Sequence, residues 1–250
     1  HINVTVDGFQ GGKCKLIGMY GDQSFMALPA FTVTGPEIVV TKDEAFPSGL
    51  YYLVLPEEPG LQILLDTDQQ FSIHTNLDDL IGAAKITGSL DNKLFYENLI
   101  YETTYQKTAD LLIDKINELK KADADADVSE LEAQRITQVA KRRAHIRQFC
   151  AQYPESFFSA YKLGGQNPPL EQPKLANGDL DVEEQTRRYR ESYWDNFDFT
   201  DARLLRTPVF HNKLDRYINK LTSRNVEAVI ESVDRLMAGV KANDDLFSYV

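Results

Sequence analysis

The chain has 250 residues, 42% of them hydrophobic and 10% aromatic, which is enough apolar surface to bury a core and excludes wholesale disorder. Its 38 acidic and 27 basic residues give a formal net charge of −11 and a pI near 4.9. A field of that sign repels a phosphate backbone and an anionic membrane surface, so neither nucleic acid nor an anionic membrane surface is an expected partner.

Up to about residue 88 the chain reads as short strands: INVTV, KCKLIGMY, SFMALPAFTV, EIVVT, LYYLVLP, LQILLD and FSIHT. In FSIHT, Phe71 and Ile73 point one way while Ser72 and His74 point the other, the period of two that a half-buried strand requires. Between the runs sit DGFQGG, YGDQ, TGPE, PSG and EEPG, residues that tolerate positive φ or preset a turn. Some seven strands at this spacing predict an antiparallel β-sandwich or barrel over 1–88. Apolar runs such as LYYLVL are too short to span a bilayer. The chain opens strand-like, at HINVTVDG, without a basic-then-apolar signal segment. That leaves a cytosolic protein, or one whose targeting segment lies upstream of His1.

At GSLDNKLFY the period changes. Ser89 is a good N-cap, and Asp91 sits in the first turn, where the helix dipole favours a carboxylate. Leu94, Tyr101, Tyr105, Leu112, Ile116 and Leu119 then form one face of a long helix running to about Lys121. The polar break ADADADVSE leads to a second helix over about 128–152, striped by Ile136, Val139, Ile146 and Phe149 and ending at Cys150. The pair predicts an antiparallel helical hairpin. Tyr153-Pro154 starts a short helix in PESFFSAYKL, and the breaker-rich stretch 164–179 is loop. Helices follow in DVEEQTRRYRESYWDNF, TPVFHNKLDRYINKL and NVEAVIESVDRLMAGV, and NDDLFSYV reads as the opening of another, cut from a longer chain. The expectation is thus an α+β chain in two parts: an antiparallel β-sandwich over 1–88 and an all-α helical domain over 89–250, each with its own core.

Few residues carry an evident chemistry. Cys14 and Cys150 are the only cysteines and form no C-x-x-C pair; both read as small buried hydrophobes, with no disulfide expected. None of the four histidines forms H-x-x-x-H or H-E-x-x-H. DADAD at 123–127 opens like a calcium loop but has Val128 and Gln134 where the turn glycine and the bidentate glutamate belong, so it reads as a solvated turn. No metal and no cofactor is expected. There is no G-x-S-x-G, P-loop or G-x-G-x-x-G, and TRRYR at 186–190 reads as a solvated face.

The densest cluster of charge lies in DFTDARLLRTPVFHNKLDRY, residues 198–217. Thr207-Pro208 is a helix start, and Asp201 to Arg206 reads as a preceding helical turn capped by Thr200. Leu204, Leu205, Val209, Phe210, Leu214 and Ile218 would pack inward. Arg203 and Arg206 are then free to pair with Asp198, Asp201 or the acids of 181–184. His211 and Asp215, four apart, read as a surface pair. A structural network is the first reading of this segment. The aromatic run Tyr189, Tyr193, Trp194 and Phe197 leaves a cleft as the second, with Trp194, Asp201, Arg206 and His211 as candidate binding residues. A hydrolytic site around Asp201, Arg206 and His211 is the third; it requires a pocket that gathers them. No residue is assigned a catalytic role.

One segment resembles a known family. YWDNFDFTDARLLRTPVFHNKLDRYINKL is similar to an aromatic-rich motif of secreted Bacteroidetes envelope proteins, "FWD…D…D.RLLRTP.F..KL..Y". SGLYYLVLPEEPGLQILLDTDQQFSIHTN, followed by ITGSLDNKLFYE, resembles the last strands and helical exit of the β-domain that opens those proteins. The resemblance covers nearly the whole chain and is most specific at 194–217. It implies an envelope protein, periplasmic or anchored to the outer membrane as a lipoprotein, whose downstream thioredoxin-like domain exchanges thiols and disulfides. That domain and its C-x-x-C are not in this chain, so no redox residue carries over. The implied role is a non-catalytic accessory and interaction module, with a protein partner or the thioredoxin-like domain as its contact and homodimerisation compatible with it. A peptide- or glycan-binding module is the alternative.

Overall fold

The computed structural model describes residues 1–57 and 59–250; Glu58, inside the expected EEPG turn, lies outside the described residues. Among the described residues eight strands come first: β1 (Ile2–Asp7), β2 (Gly11–Tyr20), β3 (Gln23–Thr34), β4 (Glu37–Val40), β5 (Gly49–Val54), β6 (Leu61–Leu65), β7 (Phe71–Asn76) and β8 (Lys85–Thr87). They form two four-stranded sheets, ordered β4-β1-β7-β8 and β3-β2-β5-β6. All seven expected strands are present. The eighth, β8, is too short to show a period and pairs only through Ser72–Thr87, Ile73–Ile86 and His74–Lys85.

The expectation of a purely antiparallel β-region needs correction. β1 runs parallel to β7, in register from Ile2 against Phe71 to Asp7 against Asn76, so the first sheet is mixed. The reason is long-range. β1 alternates buried Ile2, Val4 and Val6 with outward residues, and β7 alternates Phe71, Ile73 and Thr75 the same way. Matching faces let the two lie side by side in either direction, and the chain between them, which builds the whole second sheet, brings β7 back parallel.

Seven α-helices follow among the described residues: α1 (Leu90–Ala122), α2 (Ser129–Ala151), α3 (Phe157–Gly164), α4 (Val182–Glu191), α5 (Pro208–Arg216), α6 (Val226–Val240) and α7 (Asp244–Tyr249). A 3₁₀ turn spans Ala202–Arg206, and α5 runs on into a π-helical turn at Tyr217–Leu221. An isolated bridge between Lys174 and Leu180 tightens the long loop before α4. Ser89 caps α1 as expected, its hydroxyl accepting from the Asn92 N–H. α3 starts three residues after Pro154, at a cap made by Ser156, whose hydroxyl takes the Ser159 N–H. α4 stops at Glu191, short of Tyr193 and Trp194.

Two apolar stripes read as core are only partly so. On α2, Ile146 and Cys150 are buried, but Ile136 is 61% exposed and Val139 is also exposed. On α1, Leu94 and Ile116 are buried, Leu112 is half-buried and Leu119 is exposed. A period of three to four thus does not guarantee burial toward the far end of the hairpin. Its inner half is held by Arg142, whose guanidinium forks onto the Glu102 carboxylate at 2.6 and 2.8 Å, and by His145 stacked on Tyr101 at 3.6 Å between ring centres.

The expectation of two separate cores is also corrected. One continuous apolar cluster runs from Ile2, Leu16, Leu53 and Ile63 of the sheets through Phe95, Phe158, Leu204 and Phe210 to Leu236 and Leu246 of the last helices. α1 joins it by closing the open edge of β6. The Asn92 side chain accepts the Leu64 N–H at 2.9 Å and donates to the Leu64 carbonyl at 2.7 Å, replacing one residue of a missing neighbour strand. The Tyr96 hydroxyl donates to the Gln62 carbonyl on the same edge.

The 3₁₀ turn is the second joint. Leu204 and Leu205 are fully buried, the Leu205 carbonyl accepts the Gly21 N–H at 2.8 Å, and Gly49 of β5 lies against the Arg206 backbone. A methyl group on Gly49 would stand 2.7 Å from Arg206 Cβ and 2.8 Å from its carbonyl oxygen, so the turn would have to lift off the sheet. Gly49→Ala is expected to cost about 1–3 kcal/mol by overpacking. Because the core is shared, Trp194 fluorescence and amide exchange of β1 should lose stability together in one transition. Loss confined to one of the two readouts would contradict a common core.

Candidate functional site

The four residues singled out in the sequence are placed in three settings. Trp194 lies in an aromatic cluster with Tyr193, Phe197, Phe199, Phe210 and Tyr217, at centroid separations of 5.2–6.2 Å. It is buried, and its indole N–H has no partner among the described residues. Asp201, not Thr200, caps the 3₁₀ turn by accepting the Arg203 N–H, and it receives the Arg203 guanidinium at 2.7 and 2.9 Å. Arg203 also reaches Asp66, just past β6, at 2.8 Å and covers the Phe157 ring. The acids it takes are therefore Asp201 and Asp66, one from each half of the chain.

Arg206 and His211 each contact α7. Arg206 lies over the Tyr20 ring, with Asp245 at 3.7 Å. His211 Nδ1 is 2.8 Å from the Tyr249 hydroxyl, which donates to Asp22 and accepts the Asp22 N–H. The expected His211–Asp215 pair does not form: Asp215 is bonded by Asn219 instead, and His211 turns toward Tyr249. The geometry closes the end of α7 onto the β2–β3 turn. None of the four residues lines the cleft described next.

That cleft lies where the end of α3 and the loop after it meet α4 and α5. It has two lobes, of about 370 and 280 Å³, joined at Asn167 and Arg216, which line both. Thr207 caps α5 by accepting the Val209 N–H, and Pro208 fills its first turn, so Asn212, Lys213 and Arg216 are set by helical spacing against the cleft. Lys213 is only 4% exposed. Its ammonium donates to the Tyr193 carbonyl at 2.9 Å and the Gln166 carbonyl at 3.2 Å, and it sits 4.2 Å from the centre of the Tyr193 ring. Burial lowers its pKa from the usual lysine range to about 8, and the nearby Arg216 charge pushes the same way. Burial likewise raises the Tyr193 hydroxyl to about 12. Arg216 lies over Tyr189, and Arg143 of α2 reaches toward the Pro168 carbonyl at the far wall.

Lys213 and its neighbours were missed in the sequence because they looked like a charged helix shoulder. A signal was present. Phe210, Lys213, Leu214 and Tyr217 stand at i, i+3, i+4 and i+7, so a lysine occupies a slot on the inward face.

Residues 154–250 match a family described as a domain of unknown function, DUF5106. No curated protein and no solved structure matches the chain. Apart from Arg143, the residues of the cleft named above fall inside the matched segment.

The sign of the Lys213 linkage is testable. Between about pH 8 and 10.5 the unfolded chain holds a proton that folded Lys213 has released, so stability rises with pH across that window. Below pH 8 the cost of burying the charge is fully present, about 3 kcal/mol. The unfolding free energy of the wild type relative to Lys213→Met should therefore grow by up to about 3 kcal/mol from pH 7 to 10.5, read by urea titration at each pH. A flat difference would show an ordinary lysine.

Proposed function

We propose that this chain is a non-catalytic accessory and interaction module of a cell-envelope protein of the thiol–disulfide oxidoreductase-like kind, working through protein contacts. The resemblance at 194–217 motivates the context, and the state of the two thiols carries the non-catalytic part. Cys14, on β2, and Cys150, at the end of α2, are unpaired and no more than 1% exposed. Burial raises both thiol pKa values, away from the thiolate that exchange chemistry needs. Any exchange in such a protein would belong to a separate domain, for which this chain supplies position or contact.

A body with a shared core suits that role, since a contact made by one half is transmitted to the other without a flexible joint. We propose further that the two sheets face one another as a sandwich; both send their alternate side chains into the same cluster. Envelope location, lipoprotein anchoring and homodimerisation remain parts of this proposal. Among the described residues no helix is long and apolar enough to cross a membrane.

The second reading, a peptide- or glycan-binding module, is favoured by one observation, the polar cleft at Lys213 and Arg216 with tyrosines on its walls. The hydrolytic reading has less support, because Asp201 is engaged by Arg203 while His211 is engaged by Tyr249.

Insulin reduction by this chain should not exceed that of a Cys14→Ala, Cys150→Ala double variant, and an aromatic disulfide reagent should label its thiols only after unfolding. Turnover above the double variant would overturn the non-catalytic reading.

A further inference from the structure

The cleft at Arg216 differs electrostatically from the chain around it. The chain carries 38 acidic against 27 basic residues, and three other clefts among the described residues contain carboxylates: Asp215 between α5 and α6, Asp78 and Asp79 beside α1, Glu44 and Asp68 near the N-terminus. Neither lobe of the Arg216 cleft is lined by one. Three cations line it instead, Arg143 from α2 and Lys213 and Arg216 from α5. Among the described residues none of the three has an ion pair.

That arrangement is costly unless something negative enters. Lys213 is held in a buried position where its charge is disfavoured, and only two of its three N–H groups are used, both on carbonyls. Arg216 is exposed, its guanidinium carbon lies 5.9 Å from the centre of the Tyr189 ring, and among the described residues no acceptor takes its donors. Asn167 and Asn212 add amide donors and acceptors, and Tyr161, Tyr189 and Tyr193 add ring surface for the body of a ligand.

We propose that this cleft binds the carboxylate of a small organic ligand, with Arg216 and Arg143 as the charge partners and Lys213 in the adjoining lobe. A carboxylate is favoured over a phosphate by charge. The guanidinium fork can take either anion bidentately, but a molecule of net charge −11 repels a dianion about twice as strongly as a monoanion. The carboxylate can belong to a peptide C-terminus or to an acidic sugar. This deepens the ligand-binding reading and is independent of the thiol-exchange context, whose own test reads turnover.

The test is a titration of the intact chain, followed by Trp194 fluorescence and amide NMR shifts; Lys213 lies 5.5 Å from the Trp194 ring, so the indole reports on the site. The probes are trialanine, its C-terminal amide, digalacturonate, its methyl ester and inorganic phosphate. One carboxylate probe should bind with Kd on the order of 1 mM or tighter, and its neutral counterpart roughly tenfold or more weaker. Binding by trialanine alone assigns a peptide terminus, and binding by digalacturonate alone an acidic sugar. Arg216→Glu and Arg143→Glu should each weaken the better probe roughly tenfold or more while shifting the thermal midpoint by no more than about 2 °C. The proposal is overturned if neither carboxylate binds at about 10 mM, if the neutral forms bind as well, or if the charge reversals change nothing. Phosphate binding as tightly as the better carboxylate would also overturn it, leaving only nonspecific attraction of anions.

Discussion

The placing of one 3₁₀ turn, Ala202–Arg206, underlies the rest of this molecule. Its two leucines are fully buried, one of its carbonyls takes the Gly21 N–H, and its first arginine joins Asp201 of the helical half to Asp66 of the sheet half. Asp201 and Asp66 are 11% and 17% exposed, so this network sits where water screens it only partly. Removing one partner would strand the others' charge, which makes the register of the turn on the sheet hard to change. Gly49 is what allows the close approach of the turn's backbone to β5.

Everything C-terminal to the turn inherits its position. Thr207 ends the turn and caps α5 at once: its hydroxyl donates to the Leu204 carbonyl at 2.7 Å and accepts the Val209 N–H at 3.2 Å. α5 then carries Phe210 into the shared core and Lys213 and Arg216 to the cleft. α7 returns to the same place, where Tyr249 links His211 to Asp22 beside Gly21. A segment that reads as a run of charge is thus the joint between the two halves, and the cleft opens on the face of α5 that the joint leaves free.

The chemistry is divided in a consistent way. The groups that make strong nucleophiles in other proteins, the two thiols, are here small buried hydrophobes held away from their ionised forms. The polar investment lies elsewhere, in cations kept unneutralised within an acidic molecule. The proposed anion binding and the proposed non-catalytic role are compatible, since both describe a module that holds something rather than transforms it.

Much of the architecture was legible from residue order. Short β-rich runs between turn formers marked seven of the eight strands, Ser89 marked the start of α1, and Thr207-Pro208 marked α5, because these depend on backbone geometry and on contacts within a few residues. The parallel pairing of β1 with β7, the fusion of the cores, the Asn92 closure of β6, the exposure of Ile136 and the emptiness of the cleft of carboxylates were not legible. Each depends on which distant segments meet. Of the eventual site, the sequence by itself held one trace, a lysine in a core slot of α5, and it could not say what lay opposite. Local propensity determines elements over a few residues, whereas burial, ion pairing and the sign of a cleft's charge are sums over neighbours that only the folded chain assembles.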